Sequence, residues 1–508
     1  MARETDHAVG ETLADSAAAP RRGLYVGVFG LMLGMFLAML DGLIVGTALP
    51  TIVGELGGLD QLAWVVTAYM LAAAVTTPLW GKLGDLVGRK ATYMSSIVLF
   101  LLGSAFSGLA ADMGQLIAFR AVQGLGAGGL MVGAMSIIGV ILPPRESGKA
   151  QSMVGVMMPV AFIGGPLLGG FLTDQLDWRW TFYVNIPVGA VALALVAWKI
   201  QVRSERIRAR VDVLGAATLT VAILAVTLVA TWGGSVYAWA SWQIGGLALA
   251  AVVALAWFVR AERRAVEPII PPRLFADRNF TVAQVLSFLG GAVMMSLSSY
   301  LPQYMQFVKG ASPTASGMLL LPLLFGMLIA QLGSGRLIAR TGRYRVYPIL
   351  GGALMTAGSV ALLILDAGTP TWLASGLSVF AGAGIGFAMQ ATMVVTMNSA
   401  APRDMGAASG TVTLLRTVGG SLGISALGAM FAAELTSGEL TPAQVATLPD
   451  AARDAFRDGV VNGLHWVVLG AVVMAALAFA VAWRVREVPL RGGPAEEPAA
   501  AGEKELTT

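Results

Sequence analysis

Three ionisable side chains lie well inside long apolar segments of the sequence: Asp41, Arg120 and Arg416. An ionised side chain at the centre of a bilayer costs roughly 2.5–3.5 kcal/mol on insertion scales, so such residues usually serve a function. Counted from the ends of their segments at about 1.5 Å per residue, Asp41 and Arg120 lie at matching depths, roughly 10 Å below the outer surface. We therefore predict that these opposite charges meet.

The chemistry that suits this pair is proton transfer. A partly dry cavity favours the protonated form of an aspartate, and a nearby guanidinium favours the charged form. Asp41 could therefore take up and release protons as access to it alternates, and it could also attract a cationic substrate. The alternative is a static ion pair between two helices. Arg416 could bind an anionic group, pair with an acid or bind backbone carbonyls.

The composition explains where these charges lie. Of 508 residues, 56% are hydrophobic and only 12% are charged, which is about half the charged share of a soluble domain at roughly 25%. Apolar runs of about 17–25 residues span a bilayer as helices, and the sequence predicts fourteen. The predicted spans are 24–48, 63–81, 92–110, 114–142, 150–172, 182–200, 212–232, 242–260, 281–307, 315–335, 346–366, 371–397, 405–433 and 463–484.

The distribution of basic residues predicts the orientation of these spans. With the N-terminus in the cytoplasm, most of the 33 Lys and Arg residues fall in cytoplasmic segments, as the positive-inside rule requires. We therefore expect a multi-pass protein of the plasma membrane with both termini in the cytoplasm. The polar ends, 1–22 and 486–508, are expected to be disordered cytoplasmic tails.

Two short sequences occur twice in the chain. Residues 81–89 are similar to 335–343, and residues 144–150 are similar to 402–408, at nearly the same separation. Parallel repeats of this kind indicate two related halves. We predict an all-α membrane protein with an N-terminal six-helix bundle at 23–203 and a C-terminal six-helix bundle at 266–485. Two inserted transmembrane helices, at 204–265, separate them.

Several motifs carry a family resemblance that covers nearly the whole chain. They are Leu40–Pro50 around Asp41, Gly81–Lys90 between spans 2 and 3, Arg120–Gly128 in span 4, Gly164–Gly170 in span 5 and Trp178–Pro187 before span 6. With these motifs, the chain resembles the fourteen-helix drug:proton antiporter subgroup of the major facilitator superfamily. The resemblance implies the major facilitator fold, proton coupling through Arg120 together with Asp41, and multidrug or antibiotic export.

The loop after span 2 is predicted to act as a conformational switch. Its residues are Gly81, Asp85, Gly88 and Arg89. Glycine reaches positive φ at little cost and permits a tight turn, while Asp85 and Arg89 can form contacts that break and re-form between the inward and outward states. Ala339 replaces the acid in the second copy, so we expect the switch to be asymmetric.

Span 5 carries a Gly-Pro motif associated with antiporters in this superfamily. Its predicted gate residues are Gly165, Pro166, Gly169 and Gly170. A proline can kink a helix, and the glycines provide a flat packing face. We expect them to seal the outer gate between the halves, which favours export over uptake. The aromatic residues of Trp178–Pro187 are typical of a membrane interface, and we assign them a structural role.

The substrate site is expected between the halves near the middle of the membrane. Its candidate residues are Asp41, Met39, Met158, Tyr300, Gln303, Gln390 and Arg416. Methionine adapts to varied ligands and suits promiscuous binding, although most of the 24 methionines are expected to be core or to face lipid. Gln390 is a lone amide in an apolar span.

The sequence disfavours other classes of function. It contains no cysteine and only two histidines, so thiol catalysis and histidine-rich metal sites are excluded, and no nucleotide-binding loop is evident. We expect a proton-driven exporter of amphipathic, often cationic, small molecules, which is not an enzyme and needs no cofactor or metal. Its expected partners are substrates, protons and the bilayer, with no nucleic acid, and it is expected to be a monomer. The alternatives are export of a lipid, a siderophore or another endogenous metabolite, import, and a non-transporting membrane scaffold.

Overall fold

The computed structural model describes residues 21–57, 62–142, 176–201, 212–234, 236–311, 313–435 and 448–490, with part of 153–175 and Val445. Fifteen α-helices are described within these ranges. They are α1 (Arg21–Leu56), α2 (Leu62–Val87), α3 (Arg89–Gly108), α4 (Met113–Ile141), α5 (Trp180–Tyr183), α6 (Asn185–Lys199), α7 (Val213–Trp232), α8 (Trp242–Glu262), α9 (Arg278–Phe307), α10 (Pro313–Leu319), α11 (Leu321–Thr341), α12 (Val346–Leu362), α13 (Thr371–Ser399), α14 (Met405–Ala433) and α15 (Asp450–Ala482).

Most of the predicted spans coincide with these helices. In the described part of the chain, eleven helical stretches are long and apolar enough to cross a membrane, and the apolar parts of α7 and α12 are shorter. The fifth predicted span, 150–172, lies mostly outside the described residues, and those described there are helical. The all-helical architecture agrees with the sequence analysis, while the number fourteen stays a prediction.

Two elements differ from the predicted spans in a way that the sequence explains. The predicted span 315–335 is divided into α10 and α11 at Leu320, because Pro322 has no N–H to donate to the preceding turn. The predicted span 463–484 becomes the longer α15, whose first turns are polar and carry ion pairs between Arg453 and Asp450 and between Arg457 and Asp454. Hydropathy alone misses this polar extension.

The helices form two halves with an inserted hairpin between them. Helices α1–α6 form the first half, α9–α15 form the second, and α7 and α8 pack against each other as the inserted pair. One end of the bundle contains Asp85 and Arg89, and the opposite end contains Glu55 and Arg179. We call them the Asp85 end and the Glu55 end.

The inserted hairpin contacts both halves. On one side, Trp232 of α7 packs edge-to-face against Trp64 of α2, with ring centroids 5.7 Å apart. On the other side, the hydroxyl of Ser425 on α14 donates a hydrogen bond to the carbonyl of Ala230 on α7. Helix α7 therefore covers a line where the first and second halves meet.

The two halves also pack together at the Asp85 end. Methionines from α13 and α14 join a buried apolar cluster with residues of α1, α3 and α4, and Val412 of α14 belongs to the same cluster. An ion pair of 2.8 Å joins Lys82 on α2 to Glu267, which follows the inserted hairpin. This end of the molecule is closed by apolar and charged contacts.

The second half continues past the end of α15. The carboxylate of Glu487 accepts hydrogen bonds from the backbone N–H groups of Tyr344 and Arg345, and Leu490 is buried. Residues 486–490, which the sequence analysis placed in the C-terminal tail, therefore pack against the bundle. The predicted tail residues 1–20 and 491–508 lie outside the described residues.

Candidate functional site

Arg120 reaches the interior of the first half because α4 lies unusually close to its neighbours. A Cβ at Gly124 would collide with the backbone of Tyr69 on α2, and a Cβ at Gly126 would collide with the backbone of Phe100 on α3. Only glycine permits both crossings at this distance. They bring α2 and α3 against α4, so that Arg120 is only 1% exposed.

The structure pairs Arg120 with Asp41. Arg120 Nη1 lies 2.6 Å from Asp41 Oδ2, and Asp41 is fully buried. The guanidinium also donates from Nε to the carbonyl of Val65 at 3.4 Å, and its carbon lies 4.2 Å from the ring centroid of Tyr69. The matching depths predicted from the sequence correspond to this contact; the role of the pair in proton coupling stays a prediction.

Two amide side chains complete the surroundings of the carboxylate. Gln123 donates from Nε2 to Asp41 Oδ1 at 2.8 Å and accepts from Arg120 at 2.8 Å. Asn185 donates from Nδ2 to the same Asp41 oxygen at 2.8 Å and to Ser104 Oγ at 2.9 Å. All of these side chains are fully or almost fully buried. We call Asp41, Arg120, Gln123 and Asn185 the Asp41 cluster.

Asn185 and Gln123 were missed as site residues in the sequence analysis. Both lie in motifs that were noted, but the segment Trp178–Pro187 was assigned only a structural role. The structure gives this segment a second role, because it begins α6 at Asn185 and so places the amide beside Asp41. The signal available in the sequence was an amide in an otherwise apolar and aromatic segment.

The Glu55 end fixes the turn that leads to Asn185. Trp178 Nε1 donates to Glu55 Oε2 at 2.8 Å, and Arg179 Nη1 lies 2.7 Å from Glu55 Oε1. Hydrogen bonds from Arg179, followed by that from Trp178, hold the pKa of Glu55 below its ordinary value. The C-terminal end of α1 and the turn before α6 are thus joined, and α1 carries Asp41.

The predicted switch residues lie at the crossing between the halves, but they do not form the expected loop. Gly81 and Asp85 lie inside α2, Gly88 alone makes the turn, and Arg89 begins α3. Asp85 Oδ1 lies 2.7 Å from Arg89 Nη2, and its two oxygens accept the backbone N–H groups of Gly406 at 3.2 Å and Ala407 at 3.1 Å. These N–H groups belong to the first turn of α14, where a carboxylate is electrostatically favoured. Gly88 has φ of 118°, which a side chain would strain.

Of the predicted gate residues, Gly165 packs against α1 of the first half in this conformation. A Cβ at Gly165 would collide with Leu43 of α1, whereas a Cβ at Gly170 would meet nothing within 4 Å. The carbonyl of Gly169 accepts a hydrogen bond from Thr173 at 2.7 Å, and Pro166 lies outside the described residues. Contact of this motif with the second half stays a prediction.

The candidate substrate residues are distributed over several helices. Met39 packs against a small buried cluster that contains Leu40 and Ile44. Tyr300 donates to the carbonyl of Ile424 at 3.1 Å and so belongs to the α9–α14 contact. Met158 lies outside the described residues.

The remaining three candidates lie in the second half. Gln390 is buried on α13, whereas Gln303 on α9 and Arg416 on α14 are half-buried. Within the described part of the chain, Arg416 forms no ion pair, and its role in substrate binding stays a prediction. That these candidates line one substrate site stays a prediction.

Comparison with known proteins identifies the family. The family model for the Major Facilitator Superfamily matches residues 31–214 and 213–424. An uncharacterised MFS-type transporter of Mycobacterium tuberculosis is 39% identical over 474 residues, which cover 91% of this chain and 69% of the relative. The multidrug transporter protein MdtP of Bacillus subtilis is 36% identical, over 79% of this chain and 74% of the relative. Multidrug resistance protein 3 of the same organism is also 36% identical, over 82% and 81%.

Solved structures agree on the fold. The proton:xylose symporter XylE aligns with a TM-score of 0.62 at 15% identity, covering 93% of this chain and 98% of that one. The human organic anion transporter MFSD10 also aligns with a TM-score of 0.62, at 14% identity, covering 92% and 100%. The family model spans both halves and the relatives exceed 30% identity, so the chain belongs to the Major Facilitator Superfamily of membrane transporters.

Proposed function

We propose that this protein is a proton-coupled antiporter that exports amphipathic, often cationic, drugs or antibiotics by alternating access. The observation that carries the proposal is the buried Asp41–Arg120 ion pair at 2.6 Å, in a chain related to multidrug transporters. A buried ion pair is weak evidence for stability alone. Its cost is better explained if the charge on Asp41 changes during transport.

The charge balance of the Asp41 cluster supports exchange. When Asp41 is ionised, Arg120 neutralises it and the two amides donate to the carboxylate. When a proton binds Asp41, the guanidinium keeps its charge, and the cluster becomes positive by one unit. A positive cluster repels a cationic substrate, so proton binding on one side of the membrane promotes substrate release there.

The orientation that fits this cycle places the Asp85 end in the cytoplasm. Basic residues concentrate in loops at that end, as the positive-inside rule requires. The halves pack together there through Asp85 and α14. With the proposed orientation, this conformation is closed towards the cytoplasm. We propose a monomer in the plasma membrane that uses the proton gradient and no bound cofactor.

Transport of ethidium into inverted membrane vesicles tests this proposal. Wild type is compared with Asp41→Asn, and Asp85→Asn serves as a matched control that removes a carboxylate at the other end of the first half. We expect uptake driven by an imposed proton gradient in wild type and loss of gradient-dependent uptake in Asp41→Asn. In a parallel binding assay with purified protein, ethidium binding should keep its dependence on pH in Asp85→Asn and lose it in Asp41→Asn.

Two results would contradict the proposal in different ways. Equal gradient-driven uptake by wild type and Asp41→Asn would remove Asp41 from proton coupling. Absence of uptake by wild type, when purified protein also fails to bind ethidium, would exclude this class of cation as substrate. Export of a lipid, a siderophore or another endogenous metabolite would then be the better hypothesis.

A further inference from the structure

The Asn185 amide has both of its hydrogens engaged and its oxygen unused. Nδ2 donates to Asp41 Oδ1 at 2.8 Å and to Ser104 Oγ at 2.9 Å. Ser104 in turn donates to the carbonyl of Phe182 at 2.8 Å, which fixes the direction of its own hydrogen. Oδ1 of Asn185 is buried and meets no hydrogen-bond donor among the described residues. A buried amide oxygen left without a donor is costly unless it has a use in another state.

The hydrogen bonds that the described residues make with the Asp41 carboxylate all come from donors. Among the described residues, its oxygens accept hydrogen bonds from Arg120, Gln123 and Asn185. This arrangement suits a charged carboxylate. A protonated Asp41 carries a hydroxyl hydrogen, which needs an acceptor that the cluster does not present in this conformation.

The charged and titratable groups around Asp41 are few. Arg120 faces it from α4, and Tyr69 on α2 lies under the guanidinium and donates to the carbonyl of Ala38 at 3.2 Å. Helices α3 and α6 contribute the neutral side chains Ser104 and Asn185. The sequence of 153–173, which follows α4, contains no ionisable side chain.

We propose that Asn185 is a positioning residue that sets how tightly Asp41 holds its proton. In the charged state the amide donates to the carboxylate; in the protonated state it turns by half a turn about Cβ–Cγ, and Oδ1 accepts the Asp41 hydroxyl. The inference deepens the proposed function and rests on it. The proton comes from water on one side, forms an O–H bond with Asp41, and returns to water on the other side, so no other bond is made or broken.

The geometry favours Asn185 over Gln123 for this role. The Gln123 oxygen already accepts from Arg120 at 2.8 Å, so a turn of that amide would break a charge-assisted bond. A turn of Asn185 exchanges Nδ2 and Oδ1 and puts the unused oxygen where the donor was, within hydrogen-bond distance of both Asp41 and Ser104. The Ser104 hydroxyl can then donate to Asn185 in place of Phe182.

The test is the pH dependence of ethidium binding to the purified full-length protein, measured by fluorescence anisotropy. A hydrogen bond donated to the charged carboxylate stabilises it more than an acceptor stabilises the neutral carboxyl group. Asn185→Leu therefore removes more stabilisation from ionised Asp41 than from protonated Asp41. We expect the midpoint of binding to move to higher pH by about one unit. Ser104→Ala, which leaves the amide less firmly oriented, should move it in the same direction by less.

Asn279→Leu is the matched control. Asn279 is another buried asparagine, which exchanges two hydrogen bonds of 2.9 Å with the backbone of Arg486 in the second half, far from Asp41 in the fold. Asn279→Leu should have the same pH midpoint of ethidium binding as wild type. A structural role for Asn185 would lower the melting temperature of both asparagine variants without moving either midpoint.

The outcomes separate this inference from the proposed function. Unchanged midpoints in Asn185→Leu and Ser104→Ala, while Asp41→Asn abolishes the pH dependence, would overturn the role of Asn185 alone. If Asn185→Leu does not fold, the Ser104→Ala midpoint decides. Binding that is independent of pH in wild type, or that keeps its pH dependence in Asp41→Asn, would overturn the proposed function itself.

Discussion

Arg120 is the residue on which the Asp41 cluster depends most. Its guanidinium contacts the carboxylate of Asp41, the amide oxygen of Gln123 and the carbonyl of Val65, and it lies against the ring of Tyr69. A lysine ammonium cannot reproduce this planar set of donors. Removing the arginine would leave Asp41 as an uncompensated charge in the interior.

We therefore expect Arg120→Ala to destabilise the protein by about 3–5 kcal/mol, the usual cost of breaking one side of a buried ion pair. The melting temperature of purified protein in detergent measures this loss. The double variant Arg120→Ala with Asp41→Asn should recover part of it, because the remaining buried group is then neutral. A double variant no more stable than Arg120→Ala would show that the lost packing of the guanidinium, not the charge, controls stability.

The sequence predicted this residue pair but not its companions. Charges are rare in apolar segments, so Asp41 and Arg120 stand out, and helical rise converts their positions to depth. Neutral amides are not rare enough in apolar segments to stand out in this way. Gln123 and Asn185 acquire their role from tertiary packing, because the turn at Trp178 must bring the start of α6 against α1 before Asn185 can reach the carboxylate.

At the scale of the elements, the crossing of α2 and α14 depends on two glycines. A Cβ at Gly81 would meet the carbonyl of Gly406 at 2.5 Å, and a Cβ at Gly406 would press on the carbonyl of Gly81 and the carboxylate of Asp85. This crossing closes the Asp85 end. A methyl group there opposes the closed conformation without touching the Asp41 cluster.

We expect Gly81→Ala to shift the population towards a conformation that is open at the Asp85 end. Because the chain has no cysteine, Val412→Cys can report on this end through maleimide labelling. Val412 is buried there in the closed state. Overpacking costs about 1–3 kcal/mol, so the labelling rate should rise by about fivefold or more.

Gly84→Ala is the control for this variant. A Cβ at Gly84 would make only ordinary contacts, the nearest being Arg89 Cγ at 3.7 Å, so its labelling rate should match that of the parent protein. Equal rates for Gly81→Ala and Gly84→Ala would show that the crossing can absorb a methyl group and does not control closure.

Most helices were predictable from the sequence, and the differences between predicted and observed helices are local. Long apolar runs place the helices, but hydropathy does not register the polar first turns of α15, nor does it separate α10 from α11 at Pro322. The glycines of the 81–89 motif predicted a loop, but only Gly88 makes a turn, while Gly81 lies inside α2 where that helix crosses α14. That Asp85 binds the N-terminus of α14 depends on how the halves meet, and no local pattern contains that information.

At the scale of the whole molecule, α7 lies across the two halves that alternating access must move. Leu219 and Ile223 of α7 share an apolar cluster with residues of both α2 and α14. In addition, Ser425 of α14 donates a hydrogen bond to the Ala230 carbonyl, and Trp232 packs edge-to-face against Trp64 of α2. A hydrogen bond fixes direction and register, whereas two aromatic edges can slide over each other. We infer that α7 moves with the second half and slides against the first.

Cross-linking tests this assignment, since engineered cysteines are the only thiols present. Cysteines at 230 and 425, joined by a short bis-maleimide, should leave gradient-driven ethidium uptake within about twofold of the unlinked protein, because they tie α7 to the half it follows. Cysteines at 64 and 232, joined in the same way, should stop uptake, because they bind the halves to each other through α7. Uptake before addition of the linker is the reference for each pair. If the cross-link between 230 and 425 stopped ethidium uptake and the cross-link between 64 and 232 did not, α7 would instead move with the first half.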